Sequence, residues 1–218
     1  MVTNLRENHM NFRLLRLSLL GLAVSVGLFG GMAYYVKNQS INFNQDTKRY
    51  LPDLGGPFNL TDQFNTKRTD HEFRGKYMLV YFGYTFCPDI CPLGLRNMSS
   101  ALDLLGRDLD QVAPIFITID PERDNVDALR SYASTIHSSF IMLTGTQQEI
   151  AAALKAYNIY AVKAKPDGTM ADYLMDHSSL VYLMNRHGKL VDFFPHTAAP
   201  QEIAERIRKH LLQEIQNA

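Results

Sequence analysis

An α/β fold with a mixed central sheet follows from three features of this 218-residue chain. Short apolar, β-rich runs alternate with segments whose apolar residues recur at helical spacing. Towards the C-terminus two pairs of such runs are each split by turn residues, which reads as hairpins rather than crossovers. Apolar residues make up 46% of the chain and charged residues 20%, enough to fill one core of ordinary size. Elements in that order bury their apolar faces as a layered sandwich.

Ahead of the domain, residues 17–36 (LSLLGLAVSVGLFGGMAYYV) carry no charge. At about 1.5 Å per residue such a helix crosses a hydrocarbon core of roughly 30 Å. Arg6, Arg13 and Arg16 precede it against Glu7, and Lys37 alone follows closely. The positive-inside bias therefore places residues 1–16 in the cytoplasm and the rest across the membrane. The run exceeds a signal-peptide core, and Gly30-Gly31-Met32-Ala33 makes a poor cleavage site, so an uncleaved anchor is expected. Sixteen residues leave little room for a mitochondrial transit peptide, which favours a bacterial inner membrane with the domain in the periplasm over the mitochondrial intermembrane space. Residues 37–54 lack apolar periodicity and read as a linker to a domain over 55–218.

Within that domain, residues 78–84 (MLVYFGY) read as a buried strand. Leu95, Met98, Leu102 and Leu105 mark a helix over 93–105. Residues 114–119 (PIFITI) form a second buried strand, after which Asp124 offers an N-cap to a helix carrying Val126, Leu129 and Tyr132. A short strand over 140–143 leads to Thr146-Gln147-Gln148-Glu149, a capping box opening a helix to Ala156. Residues 160–165 and 171–175 flank Pro166-Asp167-Gly168 as an inserted hairpin, and 180–184 and 190–194 straddle His187-Gly188 as another. Pro200 opens a closing helix carrying Ile203, Ile207 and Leu211.

Composition narrows the function. Lys and Arg total 22 and so do Asp and Glu, so the chain lacks the basic excess of a nucleic-acid binder. Its two cysteines, Cys87 and Cys91, are too few for a disulfide scaffold or a four-thiolate zinc ribbon. They fall between a buried strand and a helix, where unpaired N–H groups lower a thiol's pKa. A spacing of four puts them on one helical face. A disulfide closing so short a loop constrains the unfolded chain little, which argues against a purely structural bridge. Two chemistries remain open: dithiol–disulfide exchange, or a soft metal site completed by a further donor. Seven histidines could supply that donor: His9, His71, His137, His177, His187, His196 and His210. His9 lies on the wrong side of the anchor, His187 sits in a turn, and His137 and His210 fall late in predicted helices.

The run Tyr81-Phe82-Gly83-Tyr84-Thr85-Phe86-Cys87-Pro88-Asp89-Ile90-Cys91-Pro92 resembles the signature of the Sco/SenC family of membrane-anchored copper proteins. Gly55-Gly56-Pro57-Phe58-Asn59-Leu60-Thr61-Asp62 is similar to that family's opening hairpin, and Phe73-Arg74-Gly75-Lys76 to its lead into the first core strand. Ile119-Asp120-Pro121-Glu122-Arg123-Asp124 resembles its acidic loop, and Met175-Asp176-His177-Ser178 its distal histidine motif. The resemblance implies a thioredoxin-like fold with an extra N-terminal hairpin and an inserted hairpin, in which Cys87, Cys91 and His177 bind copper. It further implies that copper, as Cu(I) or Cu(II), is received from an upstream donor and passed to the copper-bearing subunit of cytochrome c oxidase during assembly.

Two thiolates and one imidazole suit Cu(I), tolerate Cu(II), and leave a side open for ligand exchange. Asp176 is a candidate for orienting the His177 ring. Asp120, Glu122 and Asp124 follow a strand end and are candidates for partner docking. Met98, Met170, Met175 and Met184 read as packing or surface residues rather than thioether ligands. The alternative function is a thiol–disulfide oxidoreductase that reduces a copper acceptor's cysteines, with Cys87 and Cys91 as the redox pair. A peroxidase resembling the peroxiredoxins is a third reading. It is disfavoured because Thr85 stands two residues before Cys87, where those proteins place a hydroxyl three before.

Overall fold

The computed structural model describes residues 54–165 and 172–216, together with nine positions of the N-terminal segment (17, 19, 22, 25, 27 and 29–32). The chain divides into two units, Met1–Tyr50 and Leu51–Ala218. In the first, the nine described positions are all helical and exposed. No helix among the described residues is long and apolar enough to cross a membrane. Most of the expected anchor, and nearly all of the linker over 37–54, lie outside the described residues.

The second unit is built on a seven-stranded sheet. In chain order its elements are β1 (Asn59–Asp62), β2 (Lys67–Thr69), β3 (Tyr77–Gly83), α1 (Ile90–Leu105), β4 (Val112–Thr118), α2 (Val126–Ala133), β5 (Ile141–Thr144) and α3 (Gln147–Ala156). There follow β6 (Ala161–Ala164), β7 (Leu174–His177), β8 (Leu180–Met184), β9 (Leu190–Pro195) and α4 (Pro200–Gln216). The sheet order is β2-β1-β5-β4-β3-β8-β9, and β6 pairs only with β7. β3 runs parallel to β4 and β4 to β5, while β8 and β1 pair antiparallel with β3 and β5. The mixed α/β sandwich, the opening hairpin and the inserted hairpin are thus all present. The Pro166-Asp167-Gly168 turn and Met170 lie outside the described residues.

Burial explains the two central strands. All seven residues of β3 and all seven of β4 are buried, because both faces of the sheet are covered and no polar alternation is required. α1 buries Cys91, Gly94, Leu95, Met98, Ala101, Leu102 and Leu105, a stripe at helical spacing, and lies against α4. Met98 and Met184 are fully buried packing residues, as expected. The Thr146–Glu149 capping box forms as expected.

Two local expectations are corrected. Asp124 is not the cap of α2: Asn125 accepts from Ala128 N at 2.9 Å instead. Asp124 is drawn inward because its carboxylate accepts from the Thr85 amide (3.0 Å) and from the Thr85 and Thr118 hydroxyls (2.5 and 2.6 Å). Burial raises its pKa, and those donors oppose the rise. The second correction concerns the helix start. α1 begins at Ile90, so Cys87 lies in the preceding turn and does not share a helical face with Cys91.

Candidate metal centre

The topology delivers three donors to one place. β3 ends at Gly83 and hands the chain to the Tyr84–Cys87 turn, where Cys87 N donates to Tyr84 O at 3.3 Å. β8 runs antiparallel beside β3 with Tyr81 opposite Val181, so the residues just before β8 sit beside the turn after β3. His177 is the last residue of β7, three before Leu180 begins β8. Cys91 occupies the first turn of α1 on its core-facing stripe. A site at the carboxyl ends of the parallel strands β3 and β4 is where α/β sheets commonly place function.

Cys87 Sγ, Cys91 Sγ and a ring nitrogen of His177 all lie within 4.8 Å of one another, and Cys91 Sγ is 3.6 Å from His177 Nε2. Both cysteines are free, and the three residues are 6%, 0% and 9% exposed, so a ligand here is shielded yet close to the surface. Metal–donor bonds of about 2.0–2.3 Å give a trigonal set with edges of roughly 3.5–4 Å, so the cluster fits a single soft ion after small adjustment. Among the described residues no fourth His, Cys, Asp or Glu joins it.

Electrostatics divides the sulfurs. The Cys91 amide, unpaired at the start of α1, donates to Cys87 Sγ at 3.4 Å. A hydrogen bond from the Cys91 thiol lowers the pKa of the Cys87 thiol against the penalty of burial, and His177 with the Cys91 and Asp89 amides adds to the lowering. The Cys91 thiol moves the other way, because it is the donor to Cys87 and is itself buried. One proton shared between two sulfurs explains both shifts.

The imidazole is oriented by the backbone. His177 Nδ1 lies 2.8 Å from Ser178 O, and a carbonyl can only accept, so Nδ1 carries the hydrogen. In the neutral ring the Nε2 lone pair is then left facing the sulfurs, the form a metal requires. Asp176 does not take the orienting role expected of it: its side chain is exposed, and Ser178 supplies the acceptor. Tyr84 packs edge-on against the His177 ring with centroids 5.9 Å apart.

The other histidines are elsewhere. His71 and His187 are exposed. His137 lies beyond α2 near Asp103, and His196 Nδ1 is 3.0 Å from Ser179 Oγ. His210, late in α4, pairs with the buried Asp192 at 3.1 Å. His9 lies outside the described residues.

Three contributors escaped sequence reasoning. Gly83 leaves room for the Cys91 sulfur: a Cβ there would sit 2.9 Å from Cys91 Sγ. The Tyr81 hydroxyl is buried beside that sulfur, and burial raises its pKa. Arg123, the one cation among Asp120, Glu122 and Asp124, turns inward onto aromatic rings. Its place among three acids was the only hint in the sequence. Thr85 Oγ1, the hydroxyl nearest in sequence to the one a peroxidase would use, donates to Asp124 rather than to the site.

Residues 46–212 match the family model described as SCO1/SenC. This chain belongs to the SCO1/SenC family. The human "Protein SCO1 homolog, mitochondrial" is 34% identical over 193 residues, covering 87% of this chain and 64% of the human protein. This SCO1/SenC chain thus spans just under two thirds of that relative's length. The "SCO2-like protein" of Rickettsia felis is 36% identical over 155 residues, 71% of this chain and 76% of the relative. Among solved structures, ScoI of Bradyrhizobium japonicum with copper bound is 42% identical, with a TM-score of 0.66, covering 72% of this chain and 98% of that one. The fold is therefore thioredoxin-like as Sco structures are, and the Cys87–Cys91–His177 cluster is a set that could bind copper.

Proposed function

We propose that this SCO1/SenC member is a membrane-anchored copper chaperone. It passes copper to the dinuclear copper centre of cytochrome c oxidase during assembly. The observation that carries the reading is the convergence of Cys87, Cys91 and His177 from three separate elements, with no fourth His, Cys, Asp or Glu joining them among the described residues. Three donors hold a soft ion while leaving one side for an acceptor's thiolate or imidazole. Segment 17–36 supplies the anchor and its flanking arginines the orientation, with the domain in the bacterial periplasm. The mitochondrial relative makes the intermembrane space the corresponding alternative.

The test is to load the full chain, in detergent, with Cu(I) and with Cu(II) and compare it with His177→Ala. The expected result is one copper per chain, with nitrogen hyperfine coupling in the Cu(II) spectrum that the variant loses. Equal affinity and an unchanged spectrum in His177→Ala would refute the assignment.

A second reading, thiol–disulfide exchange with a copper acceptor, is favoured by one observation: both thiols are free and the Cys91 amide donates to Cys87 Sγ at 3.4 Å, which favours Cys87 as the attacking and Cys91 as the resolving sulfur. Here His177→Ala would keep reductase activity.

A further inference from the structure

The hairpin that carries His177 is weakly fixed by packing. β6 and β7 pair only with each other, and most of their residues are exposed or half-buried. Between the hairpin, α3 and the loop after β4 lies a cleft of about 220 Å³, lined on the hairpin side by Ala161, Val162, Lys163 and Met175. Apolar contact does not fill that space. Polar and aromatic ties to the loop after β4 hold the hairpin alongside the limited packing of Ala161 and Met175 on the core.

Arg123 is the centre of those ties. Its guanidinium lies 3.7 Å over the Tyr173 ring, just ahead of β7, and 4.9 and 5.6 Å from the Phe86 and Tyr84 rings in the cysteine turn. Arg123 Nε donates to Asp120 Oδ2 at 2.5 Å, and Nη1 donates to Tyr173 O at 3.1 Å. The Tyr173 hydroxyl donates to Asp120 Oδ1 at 2.9 Å. Lys163 of β6 reaches Glu122 at 2.6 Å. One side chain thus joins the segment bearing Cys87 to the segment bearing His177.

We infer that Arg123 is a positioning residue that sets the distance between the imidazole and the thiol pair, and through it the protein's grip on Cu(II) as against Cu(I). Two thiolates satisfy Cu(I) by themselves, whereas Cu(II) draws on the nitrogen donor. Releasing the clasp lets the hairpin carry His177 away while Cys87 and Cys91 stay fixed by the turn and α1. The inference rests on the copper reading above and assigns Arg123 no contact with the ion.

The experiment uses the full chain in detergent, with Arg123→Met and Tyr173→Leu beside the parent and His177→Ala. Cu(I) affinity is read by chelator competition without oxygen, and Cu(II) affinity by titration with paramagnetic resonance. In both clasp variants Cu(II) affinity is expected to fall about 10–100-fold, the range typical of lost outer support at a metal site. Nitrogen coupling should weaken towards that of His177→Ala, while Cu(I) affinity stays within about threefold, since the thiolates that satisfy it remain. Parent-like Cu(II) affinity and spectrum in the variants would overturn the inference, as would an equal loss of both ions, which would mark Arg123 as a support of the whole fold. If Arg123→Met fails to fold, Tyr173→Leu decides by the same criteria. Should the parent's Cu(II) spectrum be indifferent to His177→Ala, the copper reading fails first and the inference with it.

Discussion

Gly83→Ala probes the contact between the sheet and the site. The added Cβ would lie 2.9 Å from Cys91 Sγ, 3.0 Å from Phe116 Cε2 and 3.2 Å from Tyr81 Cε1, against an ordinary contact of 3.4–4 Å. All three neighbours are fully buried, so none can swing into solvent. Overpacking of this kind costs about 1–3 kcal/mol. The lower entropy of an unfolded alanine offsets roughly 0.4–1 kcal/mol of it. A net loss of about 1–2 kcal/mol lowers the melting temperature of a domain this size by roughly 3–6 °C. The sulfur must also yield by about half an ångström, enough to disturb a site whose Cys91–His177 separation is 3.6 Å.

The assay is thermal melting of the metal-free protein, followed by Cu(II) titration. Gly94→Ala is the control. Its Cβ meets His196 and Tyr81 at 3.3–3.4 Å, and the helix it stabilises offsets that crowding by about 1 kcal/mol, so its melting temperature should stay near the parent's. A Gly83→Ala protein that melts and binds copper like the parent would refute the packing of Cys91 against β3.

The acidity of the thiols gives a second expectation. Alkylation of Cys87 by iodoacetamide should stay fast well below the pH at which an ordinary cysteine, with a pKa of about 8.5, slows. Cys91 should react only on unfolding, and mass mapping that finds the two equally reactive at pH 6 would contradict the shared-proton account. A third expectation concerns Asp192. Burial alone would raise its pKa, but bonds from His210 and Arg206 hold it at about 2. A depressed carboxylate stabilises the fold above its unfolded pKa and loses that contribution as pH falls to the folded value. The stability gap between the parent and Asp192→Asn should therefore include about 2 kcal/mol that disappears between about pH 4 and pH 2. A gap constant from pH 5 to 2.5 in denaturant melts would show that the carboxylate's charge is not what binds β9 to α4.

Legibility in the sequence followed how local the cause was. The two buried strands, the Thr146 capping box and the Pro200 helix start were readable because each depends on neighbouring residues. Asp124 misled because two capping candidates stood side by side, and the choice between them was made by Thr85 and Thr118, hydroxyls on other segments. Asp176 misled for a related reason. Adjacent to the ligand in the chain, it points away on an alternating strand, and the Ser178 carbonyl takes its place.

By itself, the sequence determined which residues could bind a soft ion: it holds two cysteines, four apart, and a histidine in a motif resembling a known one. Chemical type and short-range spacing are properties of the chain alone. Only the tertiary structure decided that His177 meets the sulfurs, because a strand register between β3 and β8 closes a gap of 86 residues. It also decided that Cys87 rather than Cys91 is the acidic thiol, and that Arg123 spans both halves of the site. Those outcomes depend on burial and on long-range contacts, and neither is written in local sequence.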